Sequence, residues 1–137
     1  MPEVPAMKAH IAALPRLVLG WALPDADRAA LETVCRTAGL TLRMVEPAET
    51  GLTVGRLCGL PEGRNADALP VPATAAAVFC GLSGPELDGL LAAIRAAGVQ
   101  IPLKAVVTAH NRAWPFARLM EELTEEHAAI RAAQEDK

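Results

Sequence analysis

The chain states one pattern twice. Residues 17–60 can be laid over residues 76–127 with small gaps, so that Leu23 falls on Leu82, Asp27 on Glu86, Leu31 on Leu90, Arg36 on Arg95 and Ala38-Gly39 on Ala97-Gly98. Beyond the glycines, Leu42-Arg43 meets Leu103-Lys104, Val45 meets Val106, and Arg56-Leu57 meets Arg118-Leu119. Each stretch reads as apolar strand, amphipathic helix, glycine, strand, turn, helix. Neither half has enough core to stand alone, so the doubling predicts one domain over residues 1–137 with two β-α-β-α repeats, joined by a loop at 61–74.

The elements follow from local chemistry. Leu17 to Trp21 and Ala75 to Cys80 are continuous apolar runs, as strands buried on both faces are. Pro24-Asp25-Ala26-Asp27 opens the first helix, with Pro in the first turn and acids at the positive end of the helix dipole. Its apolar stripe is Ala30, Leu31, Val34, Cys35 and Ala38, and Gly39 ends it. Ser83-Gly84-Pro85-Glu86 has the spacing of a capping box and opens the matching helix, with stripe Leu87, Leu90, Leu91, Ile94 and Ala97 up to Gly98. Thr41 to Glu46 alternates as an edge strand does, and Pro102 to Thr108 reads as the fourth strand. A short helix is expected around Thr53 to Gly59 and a long one from Pro115 on, with stripe Phe116, Leu119, Met120, Leu123, His127 and Ile130. Met7 to Leu14 reads as a further short helix, while the prolines of Pro61 to Pro72 forbid regular structure.

Strict alternation of strand and helix predicts an α/β fold: a three-layer, four-stranded, mainly parallel sheet. The apolar first and third strands belong in the centre, which gives the order 2-1-3-4. A second layout satisfies the same pattern. In it the two β-α-β units meet antiparallel, as in ferredoxin-like α+β folds, with the helices crowded on one face.

Composition narrows function mainly by exclusion. A net charge of −3, no Tyr and scattered Lys and Arg give neither the basic face nor the aromatics of a nucleic-acid binder. No apolar run approaches the ~20 residues of a membrane span, and no secretion signal is legible, so a cytoplasmic protein is expected. Cys35, Cys58 and Cys80 form no metal-ligand or CxxC spacing, and no cofactor or metal is expected. Cys35 and Cys80 lie on core faces as small hydrophobes. Cys58, on a shorter helix, is the one candidate for a reactive thiol, although no His or Lys stands near it in sequence to lower its pKa. His127, on an apolar stripe, reads as a buried, hydrogen-bonded core residue, and Glu121, Glu122, Glu125 and Glu126 as a solvated acidic face.

The halves diverge after their second strands. There the second half alone gathers a hydroxyl, an imidazole, an amide, a guanidinium and an indole: Thr108, His110, Asn111, Arg112 and Trp114. In a parallel sheet this turn would lie at the carboxyl ends of the strands, where open α/β folds bind ligands. The helix opening at Pro115 would offer its free N–H groups to an anion. The same residues have structural uses, with Asn111 and Thr108 fixing the turn and Trp114 stapling the helix start.

From Leu82-Ser83-x-x-Glu86-Leu87-Asp88 through Leu103-Lys104-Ala105-Val106-Val107-Thr108-x-x-Asn111-x-x-Trp114 to Leu119-x-x-Glu122-Leu123-x-x-Glu126-His127, the chain resembles a small bacterial family known only as a domain of unknown function. The resemblance covers about residues 76–127 and implies no activity, substrate or cofactor. Two readings of function follow. One is a non-catalytic module that binds a protein partner or another copy of itself through Ala-rich helix faces and an edge strand. The other is a small-molecule or anion site, or an enzyme with His110 as its acid-base group, at the turn Thr108 to Trp114. Redox sensing through Cys58 is a third.

Overall fold

A computed structural model of the chain describes residues 15–60 and 65–135. The expected helix at Met7 to Leu14 lies outside the described residues. In chain order the elements of the described residues are β1 (Leu17–Trp21), α1 (Asp25–Thr37), β2 (Thr41–Met44), α2 (Val54–Leu57), β3 (Ala76–Cys80), α3 (Gly84–Ala96), β4 (Leu103–Val106) and α4 (Phe116–Glu135), with a 3-10 turn at Pro47–Glu49. The local signals act as anticipated. Ser83 Oγ accepts from Glu86 N at 3.2 Å while the Glu86 carboxylate accepts from Ser83 N at 2.9 Å, closing the capping box. Gly39 and Gly98 end their helices at φ 77°, a backbone region in which a side chain is strained.

The four strands form one sheet in the order β2-β1-β3-β4. β1 pairs parallel with β2 and β3 parallel with β4, so two of the three pairings are parallel. The third, between β1 and β3, is antiparallel and centred on Leu19 opposite Val78. The fold therefore joins the three layers and strand order of the first layout to the central pairing of the second. Strand sequence could not choose between them. β1 and β3 are buried on both faces, and an all-apolar strand presents the same surface whichever way it runs.

Alternation along the strands separates two cores. Val18, Ala77 and Phe79 face α1 and α3, where they pack with Leu31, Cys35, Leu90 and Ile94. Leu19, Trp21, Ala76, Val78 and Cys80 face the other way, onto Val54, Leu57 and Cys58 and onto Phe116, Leu119 and Met120 of α4. Helices thus cover both faces of the sheet, which removes the objection that an antiparallel centre would crowd one of them.

One detail of the sequence alignment shifts. Val45 N donates to Gly20 O at 2.8 Å and Val107 N to Phe79 O at 2.9 Å, so Val45 and Val107 hold matching places. Val107 is 5% exposed and Val106 is 41%, hence the match to Val45 falls one residue later than the apolar pattern suggested.

Candidate functional site

The turn after β4 is organised around Asn111. Its Oδ1 accepts from Thr108 N at 2.9 Å, and its Nδ2 donates to Val106 O at 3.0 Å. Thr108 Oγ1 in turn accepts from His110 N at 3.2 Å and from Asn111 N at 3.1 Å. Asn111 is buried, whereas Thr108 and His110 are exposed and Arg112 and Trp114 half-buried. These are the bonds of an Asx-type turn, in which a side chain stands in for the backbone partner that a strand or helix would supply.

The segment after β2 clamps this turn from below. Val54 N donates to Trp114 O at 2.9 Å and Gly55 N to Arg112 O at 2.8 Å, with a bridge between Thr53 and Pro115. The first amides of α4 are taken as well: Phe116 N donates to Leu52 O at 2.8 Å and Ala117 N to Thr50 O at 3.0 Å. The expectation that this helix start would offer free N–H groups to an anion is therefore corrected. So is the expected placing at a shared carboxyl edge, because β1 and β2 run against β3 and β4 and their carboxyl ends point opposite ways.

What remains on the outside of the turn is aromatic and cationic. His110 meets Trp114 edge-on at 5.2 Å between ring centroids, and the Arg118 guanidinium lies over the Trp114 ring at 4.2 Å from its centroid. Arg118 is the member of this group that sequence reading did not single out. It stands one helical turn past Trp114, and Pro115 hides that spacing.

A second constellation lies beneath, on the α2 and α4 face of the sheet. Cys58, closing α2, and Cys80, ending β3, are 1% and 0% exposed and belong to one core. Both thiols are free. Interaction with Cys80 and burial hold Cys58 above the ordinary thiol range. Cys80 is drawn down by its interaction with Cys58 and by the charge of Arg112, against the effect of burial. Arg43 of β2, whose charge acts on Cys58, pairs with Glu49 through one nitrogen at 2.7 Å, while its Nη1 is buried with no hydrogen-bond partner. Cys35 sits on the opposite face, pushed up to about 11 by burial and by Glu32. Sequence reading took Cys58 for the less buried cysteine and kept it apart from Cys80. Nothing along the chain marks two residues so far apart as neighbours.

Residues 76–130 match the family model of a domain of unknown function, DUF3783. No curated protein and no solved structure matches the chain. The DUF3783 segment starts at the first residue of β3 and ends inside α4, so it holds Cys80 and the whole turn from Thr108 to Trp114. It omits β1, α1, β2 and α2, and with them the clamp at residues 50–55 and Cys58.

One cleft adjoins the outer group of this turn, between Leu69 and Pro70 on one side and Pro115, Arg118 and Glu121 on the other. A cleft of about 360 Å³ runs between α1 and α3, floored by Val34, Leu40, Leu82 and Leu90, with the exposed ion pair of Arg16 and Glu86 at its rim. Shallower ones flank β4 and α4 beside Leu103, His127 and Ile130. His127 is half-buried there, more open than its place on the apolar stripe suggested. Among the described residues, no group of three or more His, Cys, Asp or Glu converges to hold a metal ion, and no helix is long and apolar enough to cross a membrane.

Proposed function

We propose that the chain acts by binding, as a non-catalytic module that contacts a protein partner or a second copy of itself. The observation that carries this reading is the reach of α4. Its core-facing stripe is covered by the sheet through Leu119 and Met120, then runs on, and every residue from Ala128 to Gln134 is exposed. Ile130, on that stripe, is 53% exposed. Among the described residues β4 is an edge strand of the sheet, with Lys104 and Val106 exposed, the kind of edge that accepts another chain. The turn points the same way, because Asn111 is engaged with backbone through both its oxygen and its nitrogen and holds the turn closed. Sedimentation equilibrium of the pure chain and affinity recovery of partners test the reading. A strict monomer that recovers no partner overturns it.

The two β-α-β units are read here as copies of one ancestral unit within a single domain. Support comes from the pairing of Leu19 with Val78, the matched bonds of Val45 and Val107, and the bridge of Thr53 to Pro115, each of which joins or relates corresponding positions.

The alternative, a small-molecule site on the outer side of the turn, rests on the surface group of His110, Trp114 and Arg118. A thermal-shift screen with His110→Ala as control tests it. A ligand-induced shift that the variant loses would favour this alternative over the binding module.

A further inference from the structure

We infer that the partner is a second copy of this chain, whose β4 pairs antiparallel with β4 of the first about a twofold axis at Ala105. The inference rests on the binding reading and names the contact it uses. Leu103 N donates to Ala75 O at 3.3 Å and Val107 N to Phe79 O at 2.9 Å, both toward β3. Backbone groups alternate in direction along a strand, so the N–H and C=O of Lys104 and Val106 point away from β3, to the edge. Both residues are exposed. Leu42 and Met44, which hold the corresponding places on β2, are half-buried against the core under α1 and α3. Among the described residues β4 is therefore the more open of the two edges.

The open groups select both the partner and the register. Two outward residues flanking Ala105 present the same donors and acceptors when the strand is turned end to end. With Ala105 opposite its own copy, Lys104 of each chain faces Val106 of the other. Each Lys104 N–H then donates to the facing Val106 O, and each Val106 N–H to the facing Lys104 O. Val106 O already accepts from Asn111 Nδ2 at 3.0 Å, and a carbonyl has a second lone pair for the new bond. The lysine stem covers the exposed valine. The neighbouring registers fail. One sets Lys104 against its own copy and Val106 against Pro102, which has no N–H. The other sets Lys104 against Thr108, whose N–H is already given to Asn111 Oδ1 at 2.9 Å. Charge agrees as well. Lys104 and Glu126, both exposed and of opposite sign, line one groove beside β4 with Leu103, His127 and Ile130. A patch that carries both signs complements itself across a twofold axis. That contact closes as a dimer, whereas β2 of one copy on β4 of the next would run on as an open ribbon.

The test uses the full-length chain, which sedimentation equilibrium should show as a dimer. Opposed residues of a non-hydrogen-bonded antiparallel pair have Cα atoms about 4.5 Å apart, within reach of a disulfide. Under mild oxidation Ala105→Cys should therefore cross-link two chains, and Lys104→Cys, which faces Val106 and not its own copy, far less. The parent, whose three thiols are buried, serves as the blank. Val106→Pro removes an outward N–H and leaves the ladder to β3 intact, so it should raise the dissociation constant about tenfold or more. Should that variant fail to fold, the cross-linking comparison decides alone. A dimer that Val106→Pro leaves intact, or that cross-links no better in Ala105→Cys than in Lys104→Cys, overturns the inference and leaves the binding reading standing. A strict monomer overturns the inference too, and affinity recovery of a different partner then decides the binding reading by itself.

Discussion

At the scale of single residues, the side chains that look most chemical in the sequence are mostly used for structure. Asn111 gives up one acceptor and one donor to its own turn, and it is buried. Its replacement by Ala leaves Thr108 N and Val106 O without those partners, so urea unfolding should report a loss of about 1–3 kcal/mol. Asn111→Asp keeps the acceptor and loses the donor, and should fall between the two. An Asn111→Ala protein as stable as the parent would remove the structural account of the turn. Glu86 makes a pH-dependent prediction. Its carboxyl is held below the ordinary range first by Ser83 N and then by Arg16. A folded pKa below the unfolded one means that the stabilisation is fully present above the unfolded value of about 4.5 and is lost as pH falls through the folded one. The difference in urea midpoint between the parent and Glu86→Gln should therefore hold above that pH and close below it. A gap that persists in acid would show that the charge plays no part.

At the scale of elements, the capping box at Ser83, the helix-ending glycines and the all-apolar central strands were legible because each is fixed by neighbours in sequence. The 3-10 turn was not. Glu46 and Glu49 form their own capping box around Pro47, but the acids flank a proline within a segment that otherwise reads as loop. The packing of loop 65–72 was equally hidden, since it depends on Thr50 Oγ1 bonding both Leu69 N and Leu69 O at 2.8 Å and on Trp21 Nε1 reaching Pro72 O at 2.9 Å. Two glycine substitutions separate the two kinds of element. A Cβ on Gly51 would stand 2.0 Å from Asp67 O, a backbone atom, so Gly51→Ala must push the loop away and lower the melting temperature. A Cβ on Gly89, exposed within α3, meets nothing within 4 Å, so Gly89→Ala should stabilise by about 0.5–1 kcal/mol through helix propensity. Equal effects at the two positions would mean that the loop does not rest on Gly51.

At the scale of the whole molecule, strand order followed from which strands are apolar on both faces, but the sense of the central pair did not. Val18 and Phe79 face one core and Leu19 and Val78 the other, and that division stays the same when β3 is reversed. The reversal decides where the outer surfaces fall. With β1 and β2 opposed to β3 and β4, no common rim gathers the strand ends into a ligand crevice, and the polar turn closes against residues 50–55. The most exposed large apolar side chain among the described residues is then Ile130 at 53%, on the far flank of α4, ahead of Leu69 at 46% and Val106 of β4 at 41%. If this flank is the contact surface, placing a charge on it must weaken association while leaving the fold alone, because Ile130 lies beyond the sheet and fills no core. Ile130→Glu should keep the parent's melting temperature, and a buried apolar contact of about 1.4 kcal/mol or more lost per interface would raise the dissociation constant at least about tenfold. Analytical ultracentrifugation across a concentration series reads both chains directly. Association unchanged in Ile130→Glu moves the contact to the cleft between α1 and α3, where Leu82 and Leu90 would be the next positions to charge.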